Sequence, residues 1–331
     1  MQSNDSSLIT KVRTGLDNPK LAVKYLMRPY LSSATLTASS RLPIGTNIFE
    51  RKWDLLIVLD TCRPDALRAV ADDYSFLDMH EIGDTISVGS STLEWTAATF
   101  VDDYLSEIKD TALISANGWP VRILDQGYRP EDRHARYAKT DWGTISGDQL
   151  GLHLPAWRYG GGRAGYSDQP QADVETVVDL AISVGRDEDF SRVIAHVIEP
   201  HFPFSAAAAR RNASELSTAE QDPWEYVHNG GDKAVVWEKY MTELRAGLDG
   251  VERLLDNFDA NRVLITADHG ECFGEWGRWG HASGSINPAL RRVPLAYTTA
   301  TDNQTSDPTI ETGTRDTERT VEDNLESLGY L

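Results

Sequence analysis

The sequence predicts an α/β protein with a mostly parallel central sheet and helices on both faces. The first observation is a series of short strand-like runs, most of them continuously apolar, as in strands buried on both faces of a sheet. These runs lie at 53–59, 85–88, 111–116, 190–198, 262–266 and 291–297. The second observation is that helical patterns alternate with the runs, at 66–71, 96–100, 173–184 and 233–257. Strands that alternate with helices favour a parallel sheet covered on both faces.

The composition narrows the class of protein. The 331 residues, 40% of them hydrophobic, are enough for one large α/β domain. The net charge is −19, and the acidic residues are spread along the whole chain. This composition predicts an acidic, solvated surface and argues against nonspecific nucleic-acid binding. We expect a cytoplasmic protein from a salt-loving organism; its oligomeric state stays open.

Residues 1–45 are predicted to form an extension ahead of a single domain at 46–331. The stretch 8–31 is basic and amphipathic, against the acidic trend elsewhere. We expect a helix packed on the domain, with peripheral contact to an anionic membrane surface as the alternative. The sequence shows neither a run of the ~18 apolar residues that a membrane span needs nor the apolar region of a signal peptide. Cys62 and Cys272 are too few for a disulfide framework and are predicted to be buried free thiols, with a bridge between them as the alternative.

Two longer stretches lack a clear strand or helix pattern. Residues 120–172 are rich in Arg, Asp, Gly and Trp, and we expect a functional insertion or cover there because structureless loops of this length are uncommon. Residues 205–232 are polar and rich in alanine, and we expect a surface loop. Both stretches are predicted to shape the pocket of a functional site.

Polar side chains stand where two of the predicted strands end. The run 53–59 is followed by Asp60, and the run 262–266 is followed by Asp268 and His269 after one alanine. Ligands of open α/β sheets bind outside the carboxyl ends of the strands, so we expect these side chains to face one cleft. Carboxylate oxygen together with imidazole nitrogen suits a divalent metal. A helix cap is the alternative role for the Asp268–His269 pair.

Hydroxyl and histidine side chains follow other predicted strands. The run 85–88 leads into a turn that contains Ser91 and Thr92, where a hydroxyl can be a nucleophile or a helix N-cap. His201 follows a proline at the end of the run 190–198, and His281 lies in a loop rich in glycine and tryptophan. His196, inside a strand, is expected to be a hydrogen-bonded core residue. Such a set can build one divalent site, in which a metal-bound hydroxyl attacks an ester and a histidine protonates the leaving group.

The segments that carry these residues resemble the sulfatase branch of the alkaline phosphatase superfamily. WDLLIVLDTCRPDAL is similar to the opening strand of that branch, and HVIEPHFPF is similar to its histidine-bearing central strand. LITADHGECFGEWGRWGHASGSINPALRRVPLAY resembles the second metal motif with its histidine loop, and VEDNLESLGYL resembles the closing helix. The matches follow the family order from about residue 50 to the end of the sequence.

This resemblance implies an alkaline-phosphatase-like fold and an enzyme that acts on small-molecule, glycan or lipid esters of sulfate or phosphate. It implies Asp60, Asp268 and His269 as metal ligands and Thr92 as both nucleophile and ligand. His201 and His281 would contact the ester group or supply a proton, with His196 as a weaker candidate for the same pocket. The implied cofactor is one divalent ion, with Mn²⁺, Ca²⁺, Zn²⁺ and Mg²⁺ all open.

The chain departs from the family pattern in two places. The segment that starts at Ser91 has no cysteine, proline or arginine of the C/S-x-P-x-R pattern, so conversion to formylglycine is not expected. A threonine nucleophile instead resembles the phosphoglycerol transferases and phosphodiesterase-like members, with Ser91 as the alternative to Thr92. Thr61 stands where many sulfatases have a second aspartate, which favours a single metal with fewer carboxylates and weakens the case for calcium. The resulting hypothesis is a metal-dependent hydrolase or transferase, and the alternative is a non-catalytic binder of anionic glycans or lipids.

Overall fold

A computed structural model describes residues 30–308, except 43, 131–134, 136, 161 and 164–169, together with residue 310. The strands are β1 (Leu55–Leu59), β2 (Gly83–Ile86), β3 (Thr111–Ser115), β4 (Leu152–Pro155), β5 (Gly162–Arg163), β6 (Gln171–Ala172), β7 (Arg192–Val197), β8 (Ala260–Thr266), β9 (Cys272–Phe273), β10 (Trp279–Gly280) and β11 (Arg292–Ala300). Seven of them form one sheet in the order β2-β11-β8-β1-β7-β3-β4. Within this described sheet only β11 runs against its neighbours, and all other pairings are parallel. The remaining four strands form two short antiparallel ribbons.

Helices cover both faces of this sheet. They are α1 (30–39), α2 (Pro64–Val70), α3 (Thr92–Thr99), α4 (Leu105–Ile108), α5 (Val174–Asp187), α6 (Ser205–Arg210), α7 (Thr218–Gln221), α8 (Pro223–His228), α9 (Lys233–Leu255) and α10 (Pro288–Arg291). Because successive side chains of a strand point to opposite faces, β1 contributes to two cores. Leu55, Ile57 and Leu59 pack with α2, α5 and α9, while Leu56 and Val58 pack with α3. The predicted α/β class, with a mostly parallel sheet between helices, is confirmed.

The long, strongly patterned elements agree with the sequence prediction to within a few residues. The helix α5 starts at the predicted place because Asp173 caps it, accepting a hydrogen bond from the backbone N–H of Thr176. The apolar stripe of α9 is core, as predicted, and its members are buried: Leu244, Leu248, Val251 and Leu255. The helix α3 begins four residues earlier than expected. It starts within the turn that contains Ser91 and Thr92, which is called the hydroxyl turn below.

The expectation of a loop at 205–232 was wrong, although most residues of this stretch lie at the surface, as predicted. Three short helices, α6 to α8, lie there, and Ala207 and Ala208 are buried beside Phe204. Glu220 is buried as well because Arg211 and Lys239 neutralise it. The expectation of an irregular stretch at 120–172 missed β4, an edge strand that pairs with β3 in parallel. Neither segment has the apolar periodicity from which helices and strands are recognised. Tertiary contacts, and not the local sequence pattern, determine the structure of these two segments.

The described part of the predicted N-terminal extension packs on the domain. Leu36 of α1 is buried, and the Ser39 hydroxyl donates a hydrogen bond to Glu94 of α3 at 3.4 Å. Residues 8–29 and the closing helix predicted from VEDNLESLGYL lie outside the described residues, and the boundary at 45/46 stays a prediction. Cys62 and Cys272 are buried free thiols, as predicted. Among the helices that the structure describes, none combines the length and the apolar character that crossing a membrane requires.

Candidate active site

The two predicted metal-binding motifs lie side by side at the centre of the sheet. The strands β1 and β8 are adjacent and parallel, with Val58 opposite Thr266, so their carboxyl ends meet at one edge. Asp60 follows β1 and Asp268 follows β8, and both carboxylates are completely buried. The strand order therefore brings together two acidic groups that are far apart in sequence.

Each of these carboxylates is only half satisfied. Oδ2 of Asp60 accepts a hydrogen bond from Nδ2 of Asn117 at 2.7 Å. Oδ1 of Asp268 accepts from the backbone N–H groups of Thr61, at 3.1 Å, and of His269, at 2.8 Å. Oδ1 of Asp60 and Oδ2 of Asp268 are buried and have no hydrogen-bond donor among the described residues. Two buried carboxylate oxygens that lie close together without a donor point to a missing positive ligand.

The electrostatics agree with this interpretation. Burial, followed by the negative charge of Asp268, raises the pKa of Asp60 well above its ordinary value. Burial likewise raises the pKa of Asp268. A divalent cation between the two carboxylates would remove the repulsion and replace the lost hydration of both groups.

His269 presents a lone pair to the same place. Its Nδ1 lies 2.8 Å from the carbonyl oxygen of Gly270, which can only accept, so the proton is on Nδ1. The unprotonated Nε2 lies 3.4 Å from Oδ2 of Asp268 and 3.8 Å from Oδ1 of Asp60. One ligand atom from each of the three side chains lies within 4.8 Å of the other two. The donor set of two carboxylates and one imidazole therefore fits a divalent metal.

The two candidate nucleophiles in the hydroxyl turn, Ser91 and Thr92, differ in their contacts. Ser91 is the N-cap of α3, and its hydroxyl accepts from the backbone N–H of Glu94 and pairs with Ser283 at 2.6 Å. Thr92 is the first residue of the helix, and its Oγ1 lies 3.4 Å from Nε2 of His269 and 3.5 Å from Oδ2 of Asp60. Of these two hydroxyls, the one of Thr92 contacts the candidate metal ligands.

The predicted histidines lie beside this cluster. The ring centroid of His281 is 4.4 Å from that of His269 and 5.3 Å from that of His201. Nδ1 of His281 lies 3.0 and 3.2 Å from the carboxylate oxygens of Glu271. Burial lowers the pKa of His281, but the charge and hydrogen bond of Glu271 outweigh burial, and the pKa lies above its ordinary value. His201 directs its Nδ1 to the carbonyl of Phe202.

Two residues of the cluster were not among the predicted site residues. Asn117 follows the last residue of β3 by two positions, and its Nδ2 donates to Asp60 and lies 3.4 Å from Oγ1 of Thr92. Its Oδ1 accepts from the backbone N–H of Trp119 at 2.9 Å, which fixes the orientation of the amide. A polar residue at the end of an apolar run was the available signal, as for Asp60. Glu271 could have been found because it follows Asp268 by only three positions after the same apolar run.

His196 lies in β7, completely buried below the cluster. Its Nδ1 is 3.2 Å from the hydroxyl of Ser115, and burial lowers its pKa to about 4. The imidazole is therefore neutral near pH 7, and it is hydrogen-bonded to its neighbouring strand as expected of a core histidine.

The comparisons with known proteins concern the fold. No protein-family model and no curated protein matches the chain. Among solved structures, the soluble domain of lipooligosaccharide phosphoethanolamine transferase A from Neisseria meningitidis is 16% identical, with a TM-score of 0.48, over 76% of this chain and 77% of that one. The periplasmic domain of EptC from Escherichia coli, in complex with Zn, is 11% identical, with a TM-score of 0.42, over 79% and 77%. The phosphonate monoester hydrolase of Agrobacterium radiobacter is 13% identical, with a TM-score of 0.38, over 73% and 67%.

At these identities and TM-scores, the likenesses carry no argument about the family or the activity of this chain. The activity has to be argued from the side chains at the carboxyl edge of the sheet.

Proposed function

We propose that this protein is a metal-dependent hydrolase or transferase of phosphate or sulfate esters, with Thr92 as the nucleophile. The observation that carries the proposal is the convergence of two unpartnered carboxylate oxygens, from Asp60 and Asp268, with Nε2 of His269 beside the Thr92 hydroxyl. This combination of cation site and hydroxyl is the arrangement that metal-assisted covalent catalysis needs.

Asp60, Asp268 and His269 would hold the cation, and the Thr92 hydroxyl lies within reach of the same position. A bound divalent ion supplies the positive charge that stabilises the alkoxide of a nucleophile and polarises an ester oxygen. Mixed oxygen and nitrogen donors suit Mn²⁺ or Zn²⁺ better than Ca²⁺, which prefers oxygen ligands alone. Mg²⁺ likewise prefers oxygen, so we expect Mn²⁺ or Zn²⁺ to bind most tightly.

The side chains at and around Thr92 carry out the attack, stabilise the ester and protonate the leaving group. The Thr92 hydroxyl gives its proton to Oδ2 of Asp60, which lies 3.5 Å away and returns the proton when Thr92 is released. Oγ1 of Thr92 attacks the phosphorus or sulfur atom, and the bond from that atom to the leaving oxygen breaks. The fixed amide of Asn117, which lies 3.4 Å from Oγ1, donates a hydrogen bond to a nonbridging oxygen of the ester. His281, which is hydrogen-bonded to Glu271, or His201 beside it, gives the leaving oxygen a proton.

Release of the covalent threonine ester completes the reaction. The histidine that has lost its proton accepts one from water or from an acceptor hydroxyl, which then displaces Thr92. Water as acceptor makes the protein a hydrolase, and an alcohol makes it a transferase. Both outcomes use the same residues, so the acceptor distinguishes them. The cytoplasmic location, the salt-loving source and the membrane contact of the basic N-terminal stretch stay predictions.

The test is mass spectrometry combined with turnover. The protein is incubated with an aryl phosphate diester, an aryl phosphate monoester and an aryl sulfate in the presence of Mn²⁺ or Zn²⁺. We expect product release with at least one ester and a mass gain on the peptide that contains Thr92. The matched variants are Thr92→Val, which should lose the adduct, and Ser91→Ala, which should keep it.

The alternative outcome is also defined. Saturable binding of an ester to the metal-loaded protein, without product and without an adduct, would replace the enzyme by a non-catalytic binder of anionic glycans or lipids. An adduct that persists in Thr92→Val and disappears in Ser91→Ala would move the nucleophile to Ser91.

A further inference from the structure

A buried ion pair lies behind the nucleophile, outside the cluster described above. Glu94 is on α3, two residues after Thr92, and its carboxylate lies 2.6 Å from Nη2 of Arg291 at the end of α10. The two side chains are 0% and 4% exposed. Burial of a full charge pair is costly, and a hydrophobic pair of similar size often serves stability as well, so the position of this pair calls for an explanation.

The carboxylate of Glu94 is saturated with donors. Its Oε2 accepts from the backbone N–H of Ser90 at 3.0 Å, from the Ser90 hydroxyl at 2.8 Å and from the backbone N–H of Gly284 at 3.0 Å. Its Oε1 accepts from Arg291, and the hydroxyl of Ser39 in α1 lies 3.4 Å away. The carboxylate therefore holds the hydroxyl turn and the loop after His281 at the same time.

The guanidinium of Arg291 joins the same two segments from the other side. Its Nη1 donates to the carbonyl of Val88 at 2.8 Å, and its Nε donates to the carbonyl of Ser285 at 2.7 Å. The planar fork of arginine suits such simultaneous bonds, and lysine could not form them together. Val88 precedes the hydroxyl turn, and Ser285 follows His281 by four residues.

Direct bonds between the two segments complete the connection. The Ser90 hydroxyl oxygen accepts from the backbone N–H of Ser285 at 2.9 Å, and it lies 2.9 Å from the carbonyl oxygen of Ala282. At Gly284 the backbone adopts a φ of +72°, and a Cβ would lie 2.4 Å from the carbonyl oxygen of Ser32 in α1. The loop is therefore packed too tightly at this point to accept a side chain.

We propose that Glu94 and Arg291 are positioning residues that fix Thr92 relative to His281. Thr92 is at one end of the segment they hold, and His281 is at the start of the other, so the nucleophile and the proton donor are placed by one buried connection. The inference rests on the proposed function. Displacement of a reacting group by about 1 Å can cost about 100-fold in rate, even when the change lies outside the chemistry.

The test compares this pair with an ion pair at the opposite edge of the sheet. Glu94→Gln removes the charge and replaces one acceptor oxygen by an amide nitrogen, so the bonds either to Arg291 or to Ser90 and Gly284 are lost. Arg291→Lys keeps the charge but loses the fork. Asp302→Asn is the matched control, because Asp302 bonds Arg186 at 2.7 and 2.8 Å beyond the end of the antiparallel strand β11, remote from the site. For each variant kcat, KM, metal affinity, thermal unfolding and the NMR signals of the His281 ring are measured.

The two accounts predict different results. Positioning predicts that kcat falls about 100-fold in both Glu94→Gln and Arg291→Lys, while KM and metal affinity stay within about threefold. The His281 signals shift in these variants and stay unchanged in Asp302→Asn, whose kcat is that of the unmodified protein. If kcat in a folded variant stays within about twofold and the His281 signals do not move, the positioning role is wrong.

The NMR measurement also separates this inference from the proposed function. If the unmodified protein turns over no ester, the proposed function fails, and the His281 ring still reports whether the pair sets its position. A shift then supports the structural connection, and unchanged signals overturn it. Should Glu94→Gln fail to fold, Arg291→Lys carries the same comparison, since it keeps a cation beside Glu94.

Discussion

The carboxylate of Glu94 and the carboxylate pair of Asp60 and Asp268 are buried at the carboxyl edge of the sheet. They differ in whether every oxygen has a hydrogen-bond donor. Every oxygen of Glu94 has donors from the protein, including the guanidinium of Arg291. Asp60 and Asp268 each keep one buried oxygen without a donor among the described residues. The fold can satisfy a buried acid completely, so an acid that is left half satisfied points to a ligand that the chain does not supply. Under the proposed function, the carboxylate of Glu94 has a structural role and those of Asp60 and Asp268 have a chemical role.

The comparison is tested most strongly at Thr92, the hydroxyl beside the half-satisfied pair. Thr92→Val keeps the shape of the side chain and removes its oxygen. We expect kcat/KM for the best ester to fall by about 10⁴-fold or more, as for removal of a covalent nucleophile. Metal affinity should change little, because three other ligands remain. Steady-state kinetics and calorimetric metal titration check both statements, and activity within tenfold of the unmodified protein would remove Thr92 from the mechanism.

Asp268→Asn tests whether the unpartnered oxygens are a cation site. The amide oxygen can still accept from the backbone N–H groups of Thr61 and His269, while the amide nitrogen replaces the unpartnered oxygen. We expect metal affinity to fall strongly and activity to fall by about 10³-fold or more, since several kcal/mol of charge stabilisation are lost.

Asp268→Asn should lower activity, but in the absence of metal it should raise the stability of the folded protein. Repulsion between Asp268 and Asp60 disappears, so the metal-free protein should become more stable by about 1–2 kcal/mol. Glu94→Gln should instead lower the stability, because it leaves Arg291 buried without its partner. Chemical unfolding in a chelator distinguishes the two. Destabilisation of equal size in both variants would contradict the distinction between the two sets of acids.

Asn117→Leu tests the donor that the sequence did not reveal. The leucine has a similar volume but donates no hydrogen bond to Asp60 or to the ester. We expect kcat to fall by about 100-fold, with KM little changed, as for loss of one oxyanion donor. The control is Ser115→Ala, which lies two residues earlier and does not touch Thr92. If kcat and KM change in this control as much as in Asn117→Leu, the effect is structural.

Glu220→Gln has the smallest expected effect of these substitutions. It tests a buried carboxylate that, like Glu94, has hydrogen-bond donors from the protein. Burial raises the pKa of Glu220, but the hydrogen bonds from Arg211, Lys239 and Ser217 outweigh burial and lower the pKa to about 2. Because this pKa lies below the unfolded value of 4.5, the stabilisation is fully present above pH 4.5 and is lost as the pH falls towards 2. We expect the variant to be less stable by roughly 1–3 kcal/mol at pH 7, with unchanged kcat.

Unfolding at several pH values checks this prediction. The difference between Glu220→Gln and the unmodified protein should shrink progressively below pH 4.5. A difference that stays constant down to pH 2 would mean that the charge of Glu220 does not contribute to folding.

The sequence predicted those parts of the site that depend on local pattern. Asp60, Asp268 and His269 each follow an apolar run, and the chemistry of their donors suggested a cation. Asn117 follows a run of the same kind, but its contact with Asp60 depends on β3 lying two strands away from β1, with β7 between them. Strand order is set by long-range packing, and the sequence pattern of one segment does not contain it.

The same reason explains the remaining differences in the fold. The helices α6 to α8 are short and lack an apolar stripe that the sequence could show, while Phe204 and Glu220 beside and within them are buried. The choice between Ser91 and Thr92 depended on where α3 begins. Once the helix starts at Thr92, Ser91 must cap it, and the next hydroxyl faces Asp60.

The most direct measurement is anomalous X-ray scattering from crystals grown with Mn²⁺ or Zn²⁺. The account predicts one strong peak bounded by Oδ1 of Asp60, Oδ2 of Asp268 and Nε2 of His269, next to the Thr92 hydroxyl, and its loss in Asp268→Asn. A crystal in which these atoms bind no metal, while water or a side chain donates to both carboxylate oxygens, would contradict it.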